Sequence, residues 1–573
     1  MSAAISRLPW PSDAPDEWRV AEEQLTGPGG HFEVVEETVL GAPCLVMRNR
    51  PRSLRELLEK SAGFGDAPFM AFTSDGETYR RFTFAEHLRL VASTAEALRV
   101  DFGVEPGDRV AILGANSPEW IVTFWATVAL GAVAVGLNGW WTEAEIRAGL
   151  ADCAPKVLVV DAPRLARLEG RDAGVPVVEI ETGFDALWHR YPDAALPDTP
   201  IAEDDPAVIL YTSGTTGTPK GAVNTHRNVG AFLTGNFFSG ARTMMTSPRP
   251  AGDQPPNCSM VTSPLFHVSG LHAAAVMAVA VGMRTVWLTG RFDPVTAMRV
   301  IESERVTAWG FTGTVLHRVV HHPDLERFDL TSLRTLGGGG SPIAPALQER
   351  AKQVMPHLRF SMAVGYGATE TAALLTSNPG PEYEAHPDSV GRPYPTVEVE
   401  IRDPEGVAVP LGEEGEVCTR GPMIMPGYWN RPEATAESFW PGRWYRTGDV
   451  GRIVDGRLYL ASRKRDLIFR GGENVYPIEI EHRLEAHPDV LEAAVVGVDH
   501  PELGQEVKAY VVPVAGVAVT AEGLAAWCAE TLAYYKVPAH FEIRTDALPR
   551  TPTGKVVKAA LDDPGASGFT DED

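Results

Sequence analysis

One segment of the sequence combines residue types that bind phosphate, Tyr211-Thr-Ser-Gly-Thr-Thr-Gly-Thr-Pro-Lys-Gly221. Its glycines let backbone N–H groups converge on an anion, its hydroxyls can donate to phosphate oxygens or ligate a cation, and its lysine adds a positive charge. The pattern predicts a polyphosphate site made by Thr212, Ser213, Gly214, Thr215, Thr216, Gly217 and Lys220.

This segment differs from a Walker loop. That pattern is GxxxxGK[ST], whereas the glycines here are spaced GxxG and Lys220 precedes Gly221. The alternative is a plain surface turn rich in Ser, Thr and Gly. A strand-like apolar run at residues 207–210 comes directly before the segment and a lysine lies within it. Both features favour the phosphate site.

The elements that must position this loop are short apolar runs that alternate with helical patterns. The runs end at glycine or polar residues, as expected of buried parallel strands, and the alternation predicts α/β layers up to about residue 380. The strand-like runs are residues 109–114, 156–160, 207–214 and 285–290, and the helical patterns include residues 84–100 and 294–303.

The remainder of the chain has a different pattern of apolar, Gly and Pro residues. Many short segments divided by Gly and Pro predict a β-rich subdomain at about residues 391–460. After the charged run Arg463-Lys-Arg-Asp466, α and β patterns return, with helices expected at residues 477–486 and 521–532 and strands at 493–498 and 506–512. The predicted fold class is α/β: a large N-terminal region of α/β layers with the β-rich subdomain, and a small mobile α+β C-terminal domain.

The predicted boundaries follow from these changes. They are an N-terminal extension at residues 1–50, a large domain at 51–465, a small domain at 466–562 and a disordered acidic tail at 563–573.

Composition excludes several classes of protein. The 573 residues carry 51 basic and 75 acidic side chains, a net charge of −24, which argues against nucleic acid and anionic lipid as partners. The 5 cysteines form no CxxC pair and are expected to be reduced thiols. The N-terminus lacks an apolar run of signal-peptide length, so a cytoplasmic location is expected.

One uncharged stretch, residues 121–142, is long enough to cross a bilayer. A membrane span is therefore one interpretation. Gly131, Gly136 and the Asn138-Gly139 pair divide the stretch, which favours a buried helix followed by a core strand. We therefore expect no transmembrane segment.

Further motifs follow the phosphate loop in a fixed order. They are Pro264-Leu-Phe-His267, Gly337-Gly-Gly-Gly-Ser-Pro342, Tyr366-Gly-Ala-Thr-Glu370, Tyr445-Arg-Thr-Gly-Asp449, Gly471-Gly-Glu-Asn-Val-Tyr-Pro477 and Pro549-Arg-Thr-Pro-Thr-Gly-Lys555. With YTSGTTGTPKG, they resemble the signature of the adenylate-forming superfamily, which includes acyl-CoA synthetases, peptide-synthetase adenylation domains and beetle luciferases. The resemblance covers nearly all of the chain from about residue 50.

The resemblance implies a nucleotide site. Tyr366 would pack on adenine, Thr369 would contact the α-phosphate, Glu370 would ligate Mg²⁺ together with Thr216, and Asp449 would accept the ribose hydroxyls. Hard oxygen ligands suit Mg²⁺, and an ionised Asp is an acceptor-only group that suits a diol. The other expected nucleotide-binding residues are Gly338, Gly339, Gly340, Ser341, Pro342, Gly367 and Arg463.

The resemblance also implies a catalytic lysine and a moving domain. Lys555 would stabilise the negative charge that builds on the α-phosphate. His267 would gate the junction of the acyl pocket and the thiol channel. A hinge at Arg465-Asp466 would let the C-terminal domain present either Lys555 to ATP or Gly471-Gly472 to the pantetheine arm of CoA.

Each of these residues has a plainer interpretation when taken alone. Glu370 and Lys555 would be solvated surface charges, Asp449 a turn residue and His267 a packed core histidine. Only the ordered motifs favour the functional interpretation. Ser462 and Arg465 also depart from the family's usual Gly and Lys at the hinge.

The sequence therefore predicts an ATP-dependent acyl-CoA synthetase that uses Mg²⁺ and CoA. It would activate a hydrophobic monocarboxylic acid, a fatty acid or a related carboxylate, through an acyl-AMP intermediate and release AMP and pyrophosphate. The alternatives are an acyl-AMP ligase that loads a carrier protein and, more distantly, a luciferase-like oxygenase or a non-enzymatic nucleotide sensor. A homodimer is conceivable on the sequence alone.

Overall fold

A computed structural model describes residues 8–168, 173–212, 219–246, 257–311, 313–338, 345–358, 362–463, 466–470, 473–514, 516–551 and 554–561. The N-terminal residues form a helix and an antiparallel hairpin: α1 (Asp16–Thr26), β1 (Val34–Val39) and β2 (Ala42–Met47).

A mostly parallel sheet follows, with strand order β10-β9-β6-β5-β7-β8, in which only β10 runs antiparallel to its neighbour. The elements of this part of the chain are α2 (Leu54–Ser61), β3 (Pro68–Thr73), β4 (Arg80–Thr83), α3 (Phe84–Asp101), β5 (Arg109–Leu113), α4 (Pro118–Ala129), β6 (Val133–Gly136), α5 (Glu143–Cys153), β7 (Val157–Val160), α6 (Ala162–Ala166), β8 (Val177–Glu179), α7 (Ile180–Trp188), β9 (Pro206–Thr212), β10 (Lys220–Thr225) and α8 (His226–Thr246).

A second sheet has the order β19-β18-β15-β14-β13-β11-β12-β3-β4, parallel from β15 to β3 and antiparallel at both edges. Its elements are β11 (Cys258–Val261), α9 (Val268–Gly270), a π-helical turn (Leu271–Val276), α10 (Met277–Val281), β12 (Arg284–Leu288), α11 (Pro294–Ser303), β13 (Ala308–Phe311), α12 (Gly313–Val320), β14 (Thr335–Gly338), α13 (Pro345–Val354), β15 (Met362–Val364), β16 (Gly367–Ala368), β17 (Ala373–Leu374), β18 (Thr376–Pro379), α14 (Gly380–Ala385) and β19 (Arg392–Pro393).

The two sheets share one core. Helices α2, α3, α4 and α8 lie between them and pack against side chains of both sheets. Helix α5 covers the outer face of the first sheet, and α11, α12 and α13 cover the outer face of the second. Because both faces of each sheet are covered, the central strands are apolar on both sides. The predicted α/β layers are confirmed.

The chain ends in two smaller sheets. The first contains β20 (Glu398–Arg402), β21 (Gly415–Arg420), α15 (Pro432–Glu437), β22 (Phe439–Trp440), β23 (Trp444–Val454) and β24 (Arg457–Arg463), and the second contains β25 (Ile468–Arg470), β26 (Glu473–Val475), α16 (Pro477–Glu485), β27 (Val490–His500), β28 (Gly504–Pro513), α17 (Ala521–Ala529) and β29 (His540–Ile543). The second has its own apolar core, as expected of a small C-terminal domain.

The uncharged stretch at residues 121–142 is a core element. Ser117 caps α4 by accepting from the Trp120 N–H, and every residue of α4 is buried. Gly131 then turns the chain with a φ of 74°, and β6 follows inside the first sheet. Along the described parts of the chain, no helix combines the length and apolar character that crossing a membrane requires. All five cysteines are buried free thiols.

The N-terminal residues are tied to the β-rich sheet. The Arg457 guanidinium lies 3.2 Å from Glu382 and 2.6 Å from Asp13. Arg457 and His386 hold the pKa of Asp13 at about 2. Since that pKa lies below the ordinary value of 3.8, the contribution of Asp13 to stability is present above pH 4 and is lost as the pH falls towards 2.

Replacing Arg457 with methionine is expected to lower the free energy of unfolding by about 3 to 5 kcal/mol, because the Glu382 carboxylate would remain buried without its cation. Both side chains are only 4% exposed. Urea denaturation followed by circular dichroism measures the change. Arg452→Met is the matched control, since Arg452 on β23 is half exposed in its pair with Glu414 and should cost less than about 1 kcal/mol. Equal losses for the two variants would contradict the prediction.

Candidate active site

The phosphate-loop motif leaves the first sheet at the end of β9. Thr212, the last residue of that strand, pairs with Lys220, the first residue of β10. The Tyr211 hydroxyl donates to Asp152 Oδ2 at 2.7 Å and the Tyr211 ring packs edge-on against Trp141, which fixes the strand end. The hairpin therefore returns the chain to the sheet edge with Lys220 at its base. The predicted residues Ser213, Gly214, Thr215, Thr216 and Gly217 lie outside the described residues.

Two of the predicted nucleotide-binding side chains are in direct contact. The Tyr366 hydroxyl donates to Asp449 Oδ2 at 2.6 Å, although 83 positions separate the two residues. Tyr366 follows β15, and Asp449 lies on β23 in register with Arg463 on β24. An aromatic ring thus lies beside an acceptor-only carboxylate, an arrangement that suits a base stacked next to a ribose diol.

The turn that carries Thr369 and Glu370 is tightly constrained. Gly367 and Ala368 pair with Leu374 and Ala373 in a short antiparallel ladder. A Cβ atom at Gly367 would overlap the Ala373 carbonyl oxygen, so only glycine fits there. Ala373 itself has a φ of 138°, a region that non-glycine residues rarely occupy and that stores strain of about 1 to 3 kcal/mol. Strain of this kind persists only where surrounding contacts impose it, which here are those of the short antiparallel ladder.

Glu370 lies at the centre of a polar cluster. Its Oε1 accepts a hydrogen bond from the Tyr428 hydroxyl at 2.9 Å. The Lys220 ammonium lies 5.4 Å from the centre of the Tyr428 ring. The neighbouring Thr369 is buried, and its carbonyl oxygen accepts from Asn224 Nδ2 at 3.1 Å. The structure therefore brings the predicted metal ligand and the phosphate-loop lysine to one place.

His267 is held next to the catalytic-lysine candidate. It caps α9, and its Nδ1 lies 2.9 Å from the Ser269 hydroxyl. Burial lowers the pKa of His267 to about 3, and the positive charges of Lys555 and His272 contribute. Lys555 is among the charges that lower this pKa, so its ammonium lies within electrostatic range of His267.

The loop around Lys555 is anchored at both ends. Thr551 N–H donates to the Lys555 carbonyl oxygen at 2.7 Å, and Arg550 pairs with Glu492 on β27. Burial lowers the pKa of His317 on α12 to about 4, and the charges of His321 and of Arg550 contribute. The C-terminal region also touches the β-rich sheet, where the Tyr476 hydroxyl donates to Glu414 at 2.5 Å. In this arrangement the small domain contacts the β-rich sheet through Tyr476, and Lys555 lies within electrostatic range of His267.

The remaining predicted residues fall into two groups. Gly338 is the last residue of β14 and is buried. Arg463 is the last residue of β24, where its backbone pairs with Asp449, and Asp466 follows that strand. The predicted residues Gly339, Gly340, Ser341, Pro342, Arg465, Gly471 and Gly472 lie outside the described residues.

The donor set fits a magnesium nucleotide. Glu370 offers a hard carboxylate oxygen for a divalent cation, Lys220 and Lys555 offer positive charge for phosphates, and Asp449 beside Tyr366 offers a ribose acceptor and an aromatic surface. Among the described residues no cluster of three or more His, Cys, Asp or Glu side chains forms a self-contained metal site. A magnesium ion held by Glu370 would take its other oxygen ligands from nucleotide phosphates and water, as its coordination chemistry favours.

One residue of the cluster was absent from the sequence prediction. Tyr428 lies in a Gly- and Pro-flanked segment, 58 positions from Glu370, and no local spacing relates the two residues. The link is made by strand pairing: Trp429 N–H donates to the Gly221 carbonyl oxygen at 2.8 Å, next to Lys220. That register cannot be derived from periodicity.

The burial of His267 predicts that this residue does not titrate in the working pH range. Because burial disfavours the imidazolium form and holds the pKa near 3, His267 stays neutral at working pH. His267→Gln should leave the shape of the pH–rate profile between about pH 6 and 9 unchanged and should reduce the rate by less than the ~100-fold expected for a general base. The rate of pyrophosphate release measures both, with the exposed His357→Gln as control. If the pH–rate profile loses an ionisation in His267→Gln and not in His357→Gln, His267 takes part in proton transfer and the prediction is wrong.

Comparisons with known proteins agree with this geometry. The family described as "AMP-binding enzyme" matches residues 57–429, and that described as "AMP-binding enzyme C-terminal domain" matches residues 479–555. A feruloyl-CoA synthase from Amycolatopsis is 38% identical over 84% of this chain and 93% of its own length. A long-chain-fatty-acid–CoA ligase from Mycobacterium tuberculosis is 34% identical over 84% of this chain and 92% of its own length.

A solved structure shows the same architecture. The o-succinylbenzoate CoA synthetase from Bacillus subtilis, in complex with its acyl-adenylate intermediate, superposes with a TM-score of 0.73 and 30% identity over 90% of this chain and 99% of that protein. The family matches cover the segments that carry Tyr366, Glu370 and Lys555. This chain belongs to the AMP-binding enzymes of the adenylate-forming superfamily, in the acyl-CoA synthetase branch.

Proposed function

We propose that the protein is an ATP-dependent acyl-CoA synthetase that activates a hydrophobic monocarboxylic acid as an acyl-AMP and transfers the acyl group to CoA, releasing AMP and pyrophosphate. The observation that carries this proposal is the geometry of the nucleotide site, where the Tyr366 hydroxyl donates to Asp449 at 2.6 Å and Tyr428 contacts both Glu370 and Lys220. ATP, Mg²⁺ and CoA are the ligands that AMP-forming CoA ligases use in general.

In the first step, formation of the acyl-AMP, different residues would bind the nucleoside, bind the cation and stabilise the developing charge. Bound MgATP would supply an activated α-phosphate, which the acid's carboxylate attacks as the bond to pyrophosphate breaks. Tyr366 and Asp449 would hold the nucleoside, and Glu370 would hold the cation. The Lys555 ammonium would stabilise the negative charge that develops on the phosphate oxygens, an electrostatic effect that needs no covalent enzyme nucleophile.

The second step would bring the CoA thiol to the position that Lys555 occupies in the first step. A thiol would therefore approach only after the C-terminal domain moves. Asp466, which follows β24 at the start of the small domain, is the proposed pivot together with Arg465. In the second pose, Gly471 and Gly472 would line the path of the pantetheine arm, where the absence of side chains permits close approach.

The substrate class rests on the side chains around the expected acyl pocket. By resemblance to the family, the residues that would line this pocket include Asn224, His267, Phe311, Val364 and Leu374; no Lys or Arg is among these, and His267 is neutral. A second carboxylate would therefore lack a cationic partner, which favours monocarboxylates with an apolar body. The relatives named for feruloyl and long-chain fatty acyl substrates support this class and leave aromatic and aliphatic acids as its two branches.

The test is an acid panel with purified protein, ATP, Mg²⁺ and CoA. Cinnamic-type acids, C8 to C16 fatty acids, acetate and succinate would be compared by pyrophosphate release and by mass spectrometry of the acyl-CoA. We expect thioester from a cinnamic-type or fatty acid. Absence of both pyrophosphate and thioester with every acid would overturn the proposal, and a preference for acetate or succinate would overturn the substrate class. If thioester forms only on an added acyl carrier protein, the acyl acceptor is that carrier protein and not CoA.

A further inference from the structure

We propose that Tyr428 is a positioning residue that couples the metal-binding carboxylate to the phosphate-loop lysine. This inference rests on the proposed function, because it assigns Tyr428 to the same magnesium nucleotide site. Its two functional parts are separate: the hydroxyl group acts on Glu370, and the aromatic ring acts on Lys220.

The hydroxyl group orients Glu370. It donates to Oε1 at 2.9 Å, which fixes the rotation of the carboxylate and therefore the direction in which its oxygens face a cation. Carboxylates that bind metals are themselves commonly oriented by hydrogen bonds, and loss of such a partner typically costs 10- to 100-fold in metal affinity or activity.

The ring provides a surface for Lys220. The Lys220 ammonium lies 5.4 Å from the ring centre, within the range of cation–π attraction. Lys220 is the first residue of β10, so its side chain leaves the sheet at the point where the phosphate loop ends. A ring beneath the ammonium limits the directions that this flexible side chain can take. The cationic Lys220 and the anionic Glu370 therefore both contact the same side chain, Tyr428.

The backbone around Tyr428 is fixed independently of these contacts. Tyr428 forms a β-bridge with Ala222, and the Val223 N–H donates to the Gly427 carbonyl oxygen at 3.1 Å. The Tyr428 N–H donates to the Thr435 hydroxyl at 2.9 Å, and Arg431 forms an ion pair with Asp152 at 2.8 Å. Removal of the Tyr428 hydroxyl should therefore leave the segment in place.

This role can be separated from simple packing. A packing residue supports ATP binding equally with and without metal, whereas a residue that orients Glu370 acts only on the metal-dependent part. The variants are Tyr428→Phe, which removes the hydroxyl and keeps the ring, and Tyr428→Leu, which removes both. Tyr383→Phe is the matched control, because the Tyr383 ring is only 1% exposed and its hydroxyl has no hydrogen-bond partner in the described parts of the chain.

Calorimetric ATP titrations with Mg²⁺ and with EDTA give a readout that needs no catalysis, and the Mg²⁺ dependence of acid-dependent ATP–pyrophosphate exchange gives a second. For Tyr428→Phe we expect the Mg²⁺ concentration at half-maximal exchange to rise about 10- to 100-fold. Its ATP affinity in EDTA should stay within about 2-fold of the wild type. Tyr428→Leu should also weaken ATP binding in EDTA, by about 2- to 5-fold, through loss of the ring. Tyr383→Phe should change neither quantity.

The outcomes distinguish this inference from the proposed function. Unchanged Mg²⁺ dependence in Tyr428→Phe, or equal losses with Mg²⁺ and with EDTA, would overturn the inference while leaving the synthetase assignment intact. A wild-type protein that binds MgATP but forms no acyl-CoA would overturn the proposed function alone, because the calorimetric comparison would still apply. A wild-type protein that binds no MgATP would overturn both.

Discussion

Lys555→Ala is expected to slow acyl-adenylate formation by about 10²- to 10³-fold, the usual cost of removing one preorganised group that stabilises developing charge. ATP binding should change by no more than a few-fold, because Tyr366 contacts Asp449 and Lys220 lies over the Tyr428 ring, all within the N-terminal region. Acid-dependent ATP–pyrophosphate exchange measures the first effect, and calorimetric ATP titration measures the second.

The design of this experiment separates catalysis from folding. Lys536→Ala is the control, since Lys536 belongs to the same small domain and its 2.6 Å ion pair with Glu479 includes no residue of the Lys555 loop. We expect the control to retain full exchange activity. The Lys555 variant should still convert chemically supplied acyl-AMP and CoA to thioester. Exchange at the wild-type rate in Lys555→Ala would remove Lys555 from the reaction and would favour the nucleotide sensor.

Strands and helices of the α/β layers could be predicted because their signals are local. The apolar runs at residues 109–114 and 285–290 correspond to Arg109–Leu113 and Arg284–Leu288, and the helical pattern at 294–303 coincides with Pro294–Ser303. A parallel strand covered on both faces is apolar throughout and ends where the chain leaves the core. Asp293 then caps the helix by accepting from the Thr296 N–H, a start signal visible in the sequence.

Pairing between distant segments could not be predicted in this way. Strand β3 joins β12 with Thr285 in register with Met70, and the Thr285 hydroxyl donates to the Phe69 carbonyl oxygen across 216 positions. Arg457 reaches Asp13 across 444 positions. Neither partner changes the local periodicity of the other, so only the folded arrangement reveals that the N-terminal extension is fastened to the β-rich sheet.

The site shows the same division. Motif order alone placed Tyr366, Glu370, Asp449 and Lys555 among the candidates, because family resemblance carries information on residue type at fixed positions. Tyr428 lies outside those motifs, and it reaches Glu370 only because residues 427–429 pair with β10. The polar groups that orient a ligand-binding side chain are therefore the part of the site that required the structure.

Glu370→Gln is expected to lower kcat/KM for adenylation by about 100-fold or more at subsaturating Mg²⁺. The variant removes the negative charge that attracts the cation, and a metal ion that polarises a phosphoryl oxygen contributes several kcal/mol to the transition state. The glutamine carbonyl oxygen can still accept from the Tyr428 hydroxyl. The Glu370 backbone carbonyl, which accepts from the Met425 N–H at 2.9 Å, is unchanged.

Because the turn keeps both of these contacts, the loss should appear in metal dependence and not in stability. The Mg²⁺ titration of ATP–pyrophosphate exchange should shift to higher concentration by more than in Tyr428→Phe, since removal of a ligand's charge exceeds removal of its orienting partner. Thermal denaturation should match the wild type within a few degrees. Glu437→Gln, at an exposed position on α15, is the control and should behave as the wild type. A Mg²⁺ titration of Glu370→Gln that matches the wild type would show that another group binds the cation. If the Mg²⁺ concentration at half-maximal exchange rises in Tyr428→Phe and rises further in Glu370→Gln, Tyr428 acts on the metal through Glu370.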